Sequence, residues 1–127
     1  MNVVDSSGWL EYFGDGPNAD FFADAIVATD DLVVPMVSVY EVFKRVLQQR
    51  GEGNALQAVA LMQQGTLVEL TLPIALEAGR NSVEMGLPTA DSIILATAHS
   101  RGATLWTQDA DFAQIEGVRY VVKQSRE

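Results

Sequence analysis

The sequence predicts an α/β fold in which helices flank a mostly parallel central sheet of four to five strands. Short apolar segments alternate with helical patterns along the chain, and no linker rich in proline, glycine or serine divides it. A length of 127 residues also suffices to bury one sizeable core. Strands that alternate with helices form parallel sheets, because each helical crossover returns the chain to the same edge. We therefore expect one domain over residues 1–127.

The first half of the chain contains two predicted strands and four predicted helices. The long middle helix has the strongest pattern, because apolar residues recur at i, i+3, i+4, i+7 and i+8 from Val39 to Leu47. The hydroxyls of Ser6 and Ser7 suit the N-cap of the first helix. In order, the elements are a strand at 2–5, a helix from Ser6, a helix at 18–28, a strand at 32–34, a helix through 39–47 and a helix at 54–64.

The second half continues the alternation. The helix at 89–99 is nearly apolar on all sides, which indicates burial on more than one face. Thr89 is its expected cap, and Arg101-Gly102 is its expected end. In order, the elements are a strand at 66–70, a helix at 74–85, the helix at 89–99, a strand at 103–106, a short helix at 109–115 and a strand at 118–122.

Composition excludes several classes of protein. Lys and Arg number 8 against 17 Asp and Glu, and this formal charge of -9 excludes a general coat for nucleic acid or an anionic membrane surface. The chain has no cysteine, so a metal site would use oxygen ligands. The amino terminus lacks the basic region of a signal peptide, and no apolar run reaches the length of a membrane span. We expect a soluble cytoplasmic protein.

Three acids stand where a parallel sheet binds ligands. Asp5 closes the first strand, and Asp109 follows the strand that ends at Trp106. The crevice beyond the carboxyl ends of the strands is the usual ligand site of such sheets, although both residues also suit helix caps. Asp91 lies in the first turn of the apolar helix, where it either interacts with the helix dipole or, if buried, needs a cation or a donor.

Glu41 and His99 have patterns that favour structural roles. Glu41 lies opposite the apolar stripe of its helix, as expected for a solvated face with an ion pair to Arg45, although a cleft wall is polar too. His99 is the only histidine and lies about 12 Å along the helix from Asp91. We therefore interpret His99 as structural.

Converging carboxylates repel one another unless a cation compensates, and Mg²⁺, or Mn²⁺ in its place, is the hard ion that such a site prefers.

Four ordered segments give the chain its resemblance to a known family. It resembles PIN-domain ribonucleases, and among them the VapC-type toxins of toxin-antitoxin pairs, over nearly its whole length. Each segment alone is a weak motif, whereas four in order in a chain of this length are specific. The segments are Val3-Val4-Asp5-Ser6-Ser7, Ser38-Val39-Tyr40-Glu41-Val42, the run from Thr89 to Ala98 that contains Asp91, and Leu105-Trp106-Thr107-Gln108-Asp109-Ala110-Asp111-Phe112.

The resemblance implies a function and roles for individual residues. Asp5, Glu41, Asp91 and Asp109 would be catalytic and hold Mg²⁺, with Asp111 a further metal ligand. Ser6 and Thr107 would hydrogen-bond these carboxylates or a substrate phosphate. The implied reaction is hydrolysis of an RNA phosphodiester by water, leaving 5′-phosphate and 3′-hydroxyl ends, in a single-stranded or loop region such as one of tRNA or rRNA. A homodimer and a cognate antitoxin with a basic tail are the implied partners.

The sequence indicates the residues that would bind RNA less clearly than it indicates the acids. Gln108 stands where many members of the family carry a basic residue. Lys44, Arg45 and Arg50 are the RNA-binding candidates nearest in sequence to the acids, and ordinary helix-surface charge is their alternative interpretation.

The sequence leaves two alternatives to a ribonuclease open. The first is a phosphoryl-accepting receiver or a small phosphatase, which would use Asp5 as its nucleophile with Mg²⁺. The receiver normally has paired acids after the first strand, and the phosphatase has a second Asp two residues on, where this chain has Ser7. The second alternative is a catalytically silent PIN-like binding module, which the full set of acids disfavours.

Overall fold

The computed structural model describes residues 1–125, so residues 126 and 127 of the predicted domain lie outside the described part. Five strands and six α-helices form the architecture. In chain order they are β1 (Asn2–Val4), α1 (Ser6–Phe13), α2 (Ala19–Val27), β2 (Leu32–Pro35), α3 (Met36–Arg50), α4 (Glu52–Met62), β3 (Thr66–Val68), α5 (Leu72–Met85), α6 (Thr89–Ser100), β4 (Thr104–Thr107) and β5 (Val118–Tyr120), with short 3-10 helices at Thr29–Asp31 and Ala110–Phe112.

The five strands form one sheet in the order β3-β2-β1-β4-β5, and all four pairings are parallel. The α/β prediction is confirmed, at the upper end of its strand count. The chain moves outward from β1 through β2 to β3, then returns to the other side of β1 for β4 and β5. The order therefore reverses between β1 and β4, and the crevice beyond that point is where open parallel sheets bind ligands.

The two faces of the sheet bury two separate apolar clusters. Val4 points to the face covered by α1 to α4, where Trp9 and Phe22 are fully buried. Val3 points to the opposite face, covered by α5 and α6. Alternate residues of one short strand thus serve two cores, as expected for a sheet sandwiched between helices. The prediction that the helix at 89–99 is buried on several sides is confirmed, because four of its apolar residues are at most 1% exposed: Ile94, Leu95, Ala96 and Ala98.

The predicted cap of α6 was wrong, and at α1 the cap is the acid and not one of the predicted hydroxyls. Asp5, and not Ser6 or Ser7, is the N-cap of α1, and its carboxylate accepts the backbone N–H of Gly8 at 2.8 Å. Thr89 is the first residue inside α6, where Pro88 occupies the N-cap position and no side chain caps the helix. In both cases the helix begins earlier than expected, so the hydroxyl that was predicted to cap lies inside the first turn.

Several boundaries differ from the sequence pattern. The turn between α3 and α4 is the single residue Gly51, whose φ of 85° lies in the left-handed region that glycine tolerates. The strand predicted at 66–70 ends at Val68, and the helix predicted at 109–115 is one 3-10 turn. Close packing explains the glycine at position 8, because a Cβ there would lie 2.6 Å from the ring of Phe22.

None of the helices in residues 1–125 is long and apolar enough to cross a membrane.

Candidate metal centre and active site

Asp5 ends β1 and is held by three neighbours. It is only 2% exposed. Its Oδ1 accepts the Gly8 N–H, its Oδ2 accepts the Thr107 hydroxyl at 2.6 Å, and the Ser7 hydroxyl lies 3.0 Å from both oxygens. The Thr107 hydroxyl also accepts the backbone N–H of Asp109 at 2.9 Å. One hydroxyl at the end of β4 thus links two acids that the sequence placed at the ends of separate strands. We refer to Asp5 with Thr107, Ser7 and Gly8 as the Asp5 corner.

Asp91, Asp109 and Asp111 form a second part of the site, which we name the three-carboxylate cluster. One carboxylate oxygen from each lies within 4.8 Å of those of the other two. Asp91 is presented by the first turn of α6, whereas Asp109 caps the short 3-10 helix that follows β4 and accepts the N–H of Asp111 at 2.9 Å. Cap and site are therefore compatible roles for Asp109, as they are for Asp5.

Glu41 lies on α3 and faces α1. The Ser6 hydroxyl donates to its Oε1 at 2.6 Å. The ion pair with Arg45 that a solvated helix face would predict is not formed in the described part of the chain. The cleft interpretation of Glu41 is therefore the one that its contacts favour, because the first turn of α1 contacts this residue on the polar face of α3.

The pKa values of two acids report the electrostatics of the site. The pKa of Asp5 is raised to about 6. Burial is the main cause and the charge of Asp109 adds to it, whereas the hydrogen bonds from Thr107, Gly8 and Ser7 act in the lowering direction. Burial also raises the pKa of Asp91 to about 7, and four carboxylates add to the rise: Asp109, Asp5, Glu41 and Asp111. All five acids therefore share one electrostatic neighbourhood centred on Asp91.

The donor set fits a hard divalent cation. The ligand atoms of the three-carboxylate cluster are oxygens, one from each carboxylate of Asp91, Asp109 and Asp111. Within residues 1–125 no lysine, arginine or histidine forms an ion pair with any of the five acids. A buried carboxylate without a cationic partner is costly, so the arrangement favours an added cation.

The predicted RNA-binding residues divide into two groups. Lys44 and Arg45 line a cavity of about 370 Å³ beside Ser6 and Glu41. Arg50 lies at the far end of α3, roughly 13 Å along the helix from Glu41, and lines other cavities. The structure therefore brings Lys44 and Arg45 beside Glu41 and leaves Arg50 at a distance.

His99 lies outside the site. It is at the opposite end of α6 from Asp91, and its Nδ1 is 3.7 Å from the carboxylate of Glu77 on α5. Both side chains are about two-fifths exposed, at 40% and 42%. Its position agrees with the structural interpretation.

Sequence reasoning missed the polar network on the other side of Asp109. Gln108 is 4% exposed, and its Oε1 accepts the side-chain amide of Asn18 at 3.0 Å. The same amide donates to the Val122 carbonyl at 3.0 Å, which holds the segment after β5. This segment brings Lys123 to a cavity of about 410 Å³ that Asp109 also lines. A buried glutamine beside an acid is the only sequence signal, and its partner lies 90 residues away.

Fold and site together define an α/β protein with an acidic crevice at the switch point of a parallel sheet. The PIN domain family matches residues 3–118, and this chain belongs to that family. No curated protein matches the sequence.

Solved structures of low sequence identity share the fold. A chain of a toxin-antitoxin complex from Klebsiella pneumoniae is 22% identical with a TM-score of 0.79, and the match covers 94% of this chain and 96% of that one. Mycobacterium tuberculosis VapC20, a sarcin-ricin loop cleaving toxin, is 14% identical with a TM-score of 0.77, covering 91% and 95%. A chain of DNA-bound VapBC from Salmonella typhimurium is 15% identical with a TM-score of 0.74, covering 96% and 97%.

Proposed function

We propose that this protein is a Mg²⁺-dependent endoribonuclease and the toxin of a toxin-antitoxin pair. The observation that carries the proposal is the convergence of five acids at the switch point, where burial and then the charges of all four others raise the pKa of Asp91. Membership of the PIN domain family supports a nuclease. The solved relatives with the same fold include a toxin that cleaves the sarcin-ricin loop, which supports RNA as the substrate.

The five acids would divide the work of holding Mg²⁺, or Mn²⁺ in its place. Asp91, Asp109 and Asp111 would hold the ion through their clustered oxygens, and Asp5 and Glu41 would bind it directly or through water. When bound, such an ion makes water acidic enough to act as a nucleophile near neutral pH and offsets charge on the phosphodiester. Thr107 and Ser7 hold the Asp5 carboxylate in one orientation, and Ser6 does the same for Glu41.

The groove beside Glu41 supplies contacts for a single-stranded substrate. Lys44 and Arg45 make no ion pair within the described residues, and the Lys44 ammonium lies over the Tyr40 ring, 5.8 Å from its centroid. Neither charge is neutralised by a carboxylate there, so both can attract backbone phosphates. Tyr40 precedes Glu41, lines the same cavity and is 62% exposed. Unpaired bases stack on exposed aromatic rings, whereas paired bases are not accessible to them. These features favour RNA loops or single strands, such as those of tRNA or rRNA.

The partners follow from the same proposal. Solved relatives occur as toxin-antitoxin and VapBC complexes, which supports a cognate antitoxin for this chain. A basic antitoxin segment would complement the acidic crevice and the net charge of -9. We also propose that the protein forms a homodimer and acts in the cytoplasm. Light scattering of the purified chain, alone and with the product of a neighbouring reading frame, tests both assemblies.

Cleavage of RNA tests the central proposal. Purified protein should cut single-stranded RNA in Mg²⁺ or Mn²⁺, and EDTA should abolish the cut. Asp5→Asn and Asp91→Asn should each remove activity, and mapped ends should carry 5′-phosphate and 3′-hydroxyl groups. Retained cleavage in both variants would overturn the acid site as the catalytic centre.

The other two classes give different results in the same preparation. A receiver or a phosphatase would become phosphorylated on Asp5 by a small phosphodonor without cutting RNA. The Asp5 carboxylate is almost fully buried and accepts three hydrogen-bond donors, which disfavours nucleophilic attack by it. A silent binding module would bind RNA or protein but cut neither in any divalent ion.

A further inference from the structure

The segment after β5 places a cation in a cavity that Asp109 lines and that is separate from the cavity beside Glu41. Ser7, Asp109, Tyr120 and Lys123 line one cavity of about 410 Å³ there. Lys123 is exposed and forms no ion pair with a carboxylate within residues 1–125. Its ammonium group is therefore available to an anion that enters the crevice beside Asp109.

The backbone of this segment is fixed rather than simply adjacent. The Val121 N–H donates to the Thr107 carbonyl at 3.0 Å, and the Val122 carbonyl accepts the Asn18 amide at 3.0 Å. Asn18 is itself 4% exposed, with its second contact to Gln108 and its backbone N–H on Glu11 at 2.7 Å. These bonds join Lys123 to the end of β4, from which Asp109 also extends.

Lys123 is also near a second cation. Lys123 and Arg50 line a neighbouring cavity of about 440 Å³ together with Glu11. Lys44 and Arg45 line the cavity that Glu41 lines, and Lys123 lines the cavity that Asp109 lines, whereas Arg50 lies farther from the acids. In a protein of net charge -9, cations therefore adjoin the acids from two cavities.

We propose that Lys123 binds a backbone phosphate of the RNA next to the phosphate at the acid site, and that Asn18 and Gln108 are positioning residues for it. The inference rests on the proposed ribonuclease function and adds a second phosphate contact, on the Asp109 side of the crevice. The strand then crosses the acids from the Lys44 and Arg45 cavity to the Lys123 cavity. The ammonium group supplies a point charge for the phosphate, and Gln108 contributes only by fixing Asn18.

Binding of RNA that is not cleaved tests the contact. The full chain carrying Asp91→Asn is titrated with a fluorescent single-stranded RNA in Mg²⁺, and anisotropy gives Kd over a series of salt concentrations. Adding Lys123→Ala should weaken binding about fivefold and reduce the slope of log Kd against log salt by about 0.7, the value for one phosphate contact on a single strand. Lys123→Arg should retain both. Arg101→Ala, which removes an exposed cation at the far end of α6, is the matched control and should change neither.

A double-mutant cycle tests the positioning role. Asn18→Ala should weaken binding when Lys123 is present and add nothing when Lys123 is already alanine, because both changes remove the same contact. Equal losses in the two backgrounds would show that Asn18 acts through general stability and would overturn its positioning role. Circular dichroism and melting temperature of every variant establish that it is folded.

The outcomes separate this proposal from the ribonuclease function. An unchanged salt slope in the Lys123→Ala variant, with RNA cleavage intact in the parent chain, would overturn the Lys123 contact alone. A reduced slope with no cleavage by the parent chain would support the contact and overturn the nuclease. In the cleaving protein, Lys123→Ala should raise KM and leave kcat nearly unchanged, since the contact holds substrate without touching the reacting atoms.

Discussion

The Asp5 corner and the three-carboxylate cluster surround their carboxylates with opposite kinds of neighbour. Asp5 is buried among donors. Its Oδ1 accepts the Gly8 N–H, its Oδ2 accepts the Thr107 hydroxyl, and the Ser7 hydroxyl contacts the same carboxylate. In the cluster, Asp91 faces the carboxylates of Asp109 and Asp111 and has no hydrogen bond from a donor in the described residues. Donors of the protein itself contact the Asp5 carboxylate, whereas in the cluster carboxylates face one another and an added cation would offset their repulsion. One site can thus combine a hydrogen-bonded anchor with the position that we propose for the metal.

The largest expected effect is the loss of the charge at the centre of the cluster. Asp91→Asn should lower RNA cleavage by at least ~100-fold and, without metal, raise the melting temperature, because it removes repulsion from four acids. Single-turnover cleavage and thermal melts in EDTA measure the two effects. Asp20→Asn is the matched control, since Asp20 lies in the first turn of α2 and is exposed. A lower melting temperature for Asp91→Asn would show that the cluster is not strained.

The pH dependence of stability separates the two parts next. Asp5 and Asp91 have pKa values of about 6 and about 7 in the folded protein, against 3.8 for an ordinary Asp. Between pH 4 and pH 7 the folded chain therefore holds protons that the unfolded chain has released, so stability falls as pH rises. For Asp5 alone the loss is about 3 kcal/mol.

Denaturant unfolding in EDTA at pH 4.5, 6 and 8, values that bracket the two pKa values, measures this loss of stability. In Asp91→Asn the decline should end near pH 6, because only Asp5 still titrates late, and saturating Mg²⁺ should reduce the decline in the parent chain. Stability that rises with pH over this range would contradict the raised pKa values of both acids.

Removal of the hydroxyl that links the two parts should have a smaller effect. Thr107→Val removes the donor to Asp5 and leaves the Asp109 N–H without its acceptor. We expect a loss of about 1–3 kcal/mol in stability and about 10- to 100-fold in cleavage. Thr97→Val is the control, because Thr97 is also buried and its hydroxyl contacts only the Ile93 carbonyl in its own helix. Equal effects of the two substitutions would refute a special role for Thr107.

The smallest effect concerns the partly buried contact to Glu41. Ser6→Ala removes the hydrogen bond to Oε1 and should reduce cleavage roughly two- to tenfold, with little change in melting temperature. Ser100→Ala, which removes an exposed hydroxyl at the end of α6, should change neither quantity. Full activity of the Ser6→Ala variant would show that the orientation of Glu41 does not depend on its contact with α1.

The sequence could predict the features that depend on local pattern. The alternation of strands and helices gives the parallel sheet, and the acids that follow β1 and β4 meet because parallel strands end at the same edge. The near-absence of polar residues in α6 predicts its burial. Asp5 and Asp109 were open between cap and site, and the structure shows that each is both a cap and a member of the acid neighbourhood.

The features that pattern could not predict depend on how elements pack. The periodicity of α3 groups Glu41 with Lys44 and Arg45 but does not show that Ser6 of α1 contacts Glu41. The contact between Asn18 and Gln108 spans 90 positions and has no period. At the start of α1 hydroxyl and carboxylate caps compete, and only the three-dimensional position of Gly8 decides between them.

Gly8 has a consequence for genetics. Its N–H contacts the Asp5 carboxylate, and its missing side chain makes room for Phe22 and Val4. Any other residue there would disturb the core and the acid corner in the same step. If expression of the chain arrests growth, a selection for surviving cells should recover substitutions at Gly8 as often as at the acids, although Gly8 presents no side chain to the RNA. Mutational tolerance at this position would therefore measure how tightly folding and toxicity are coupled.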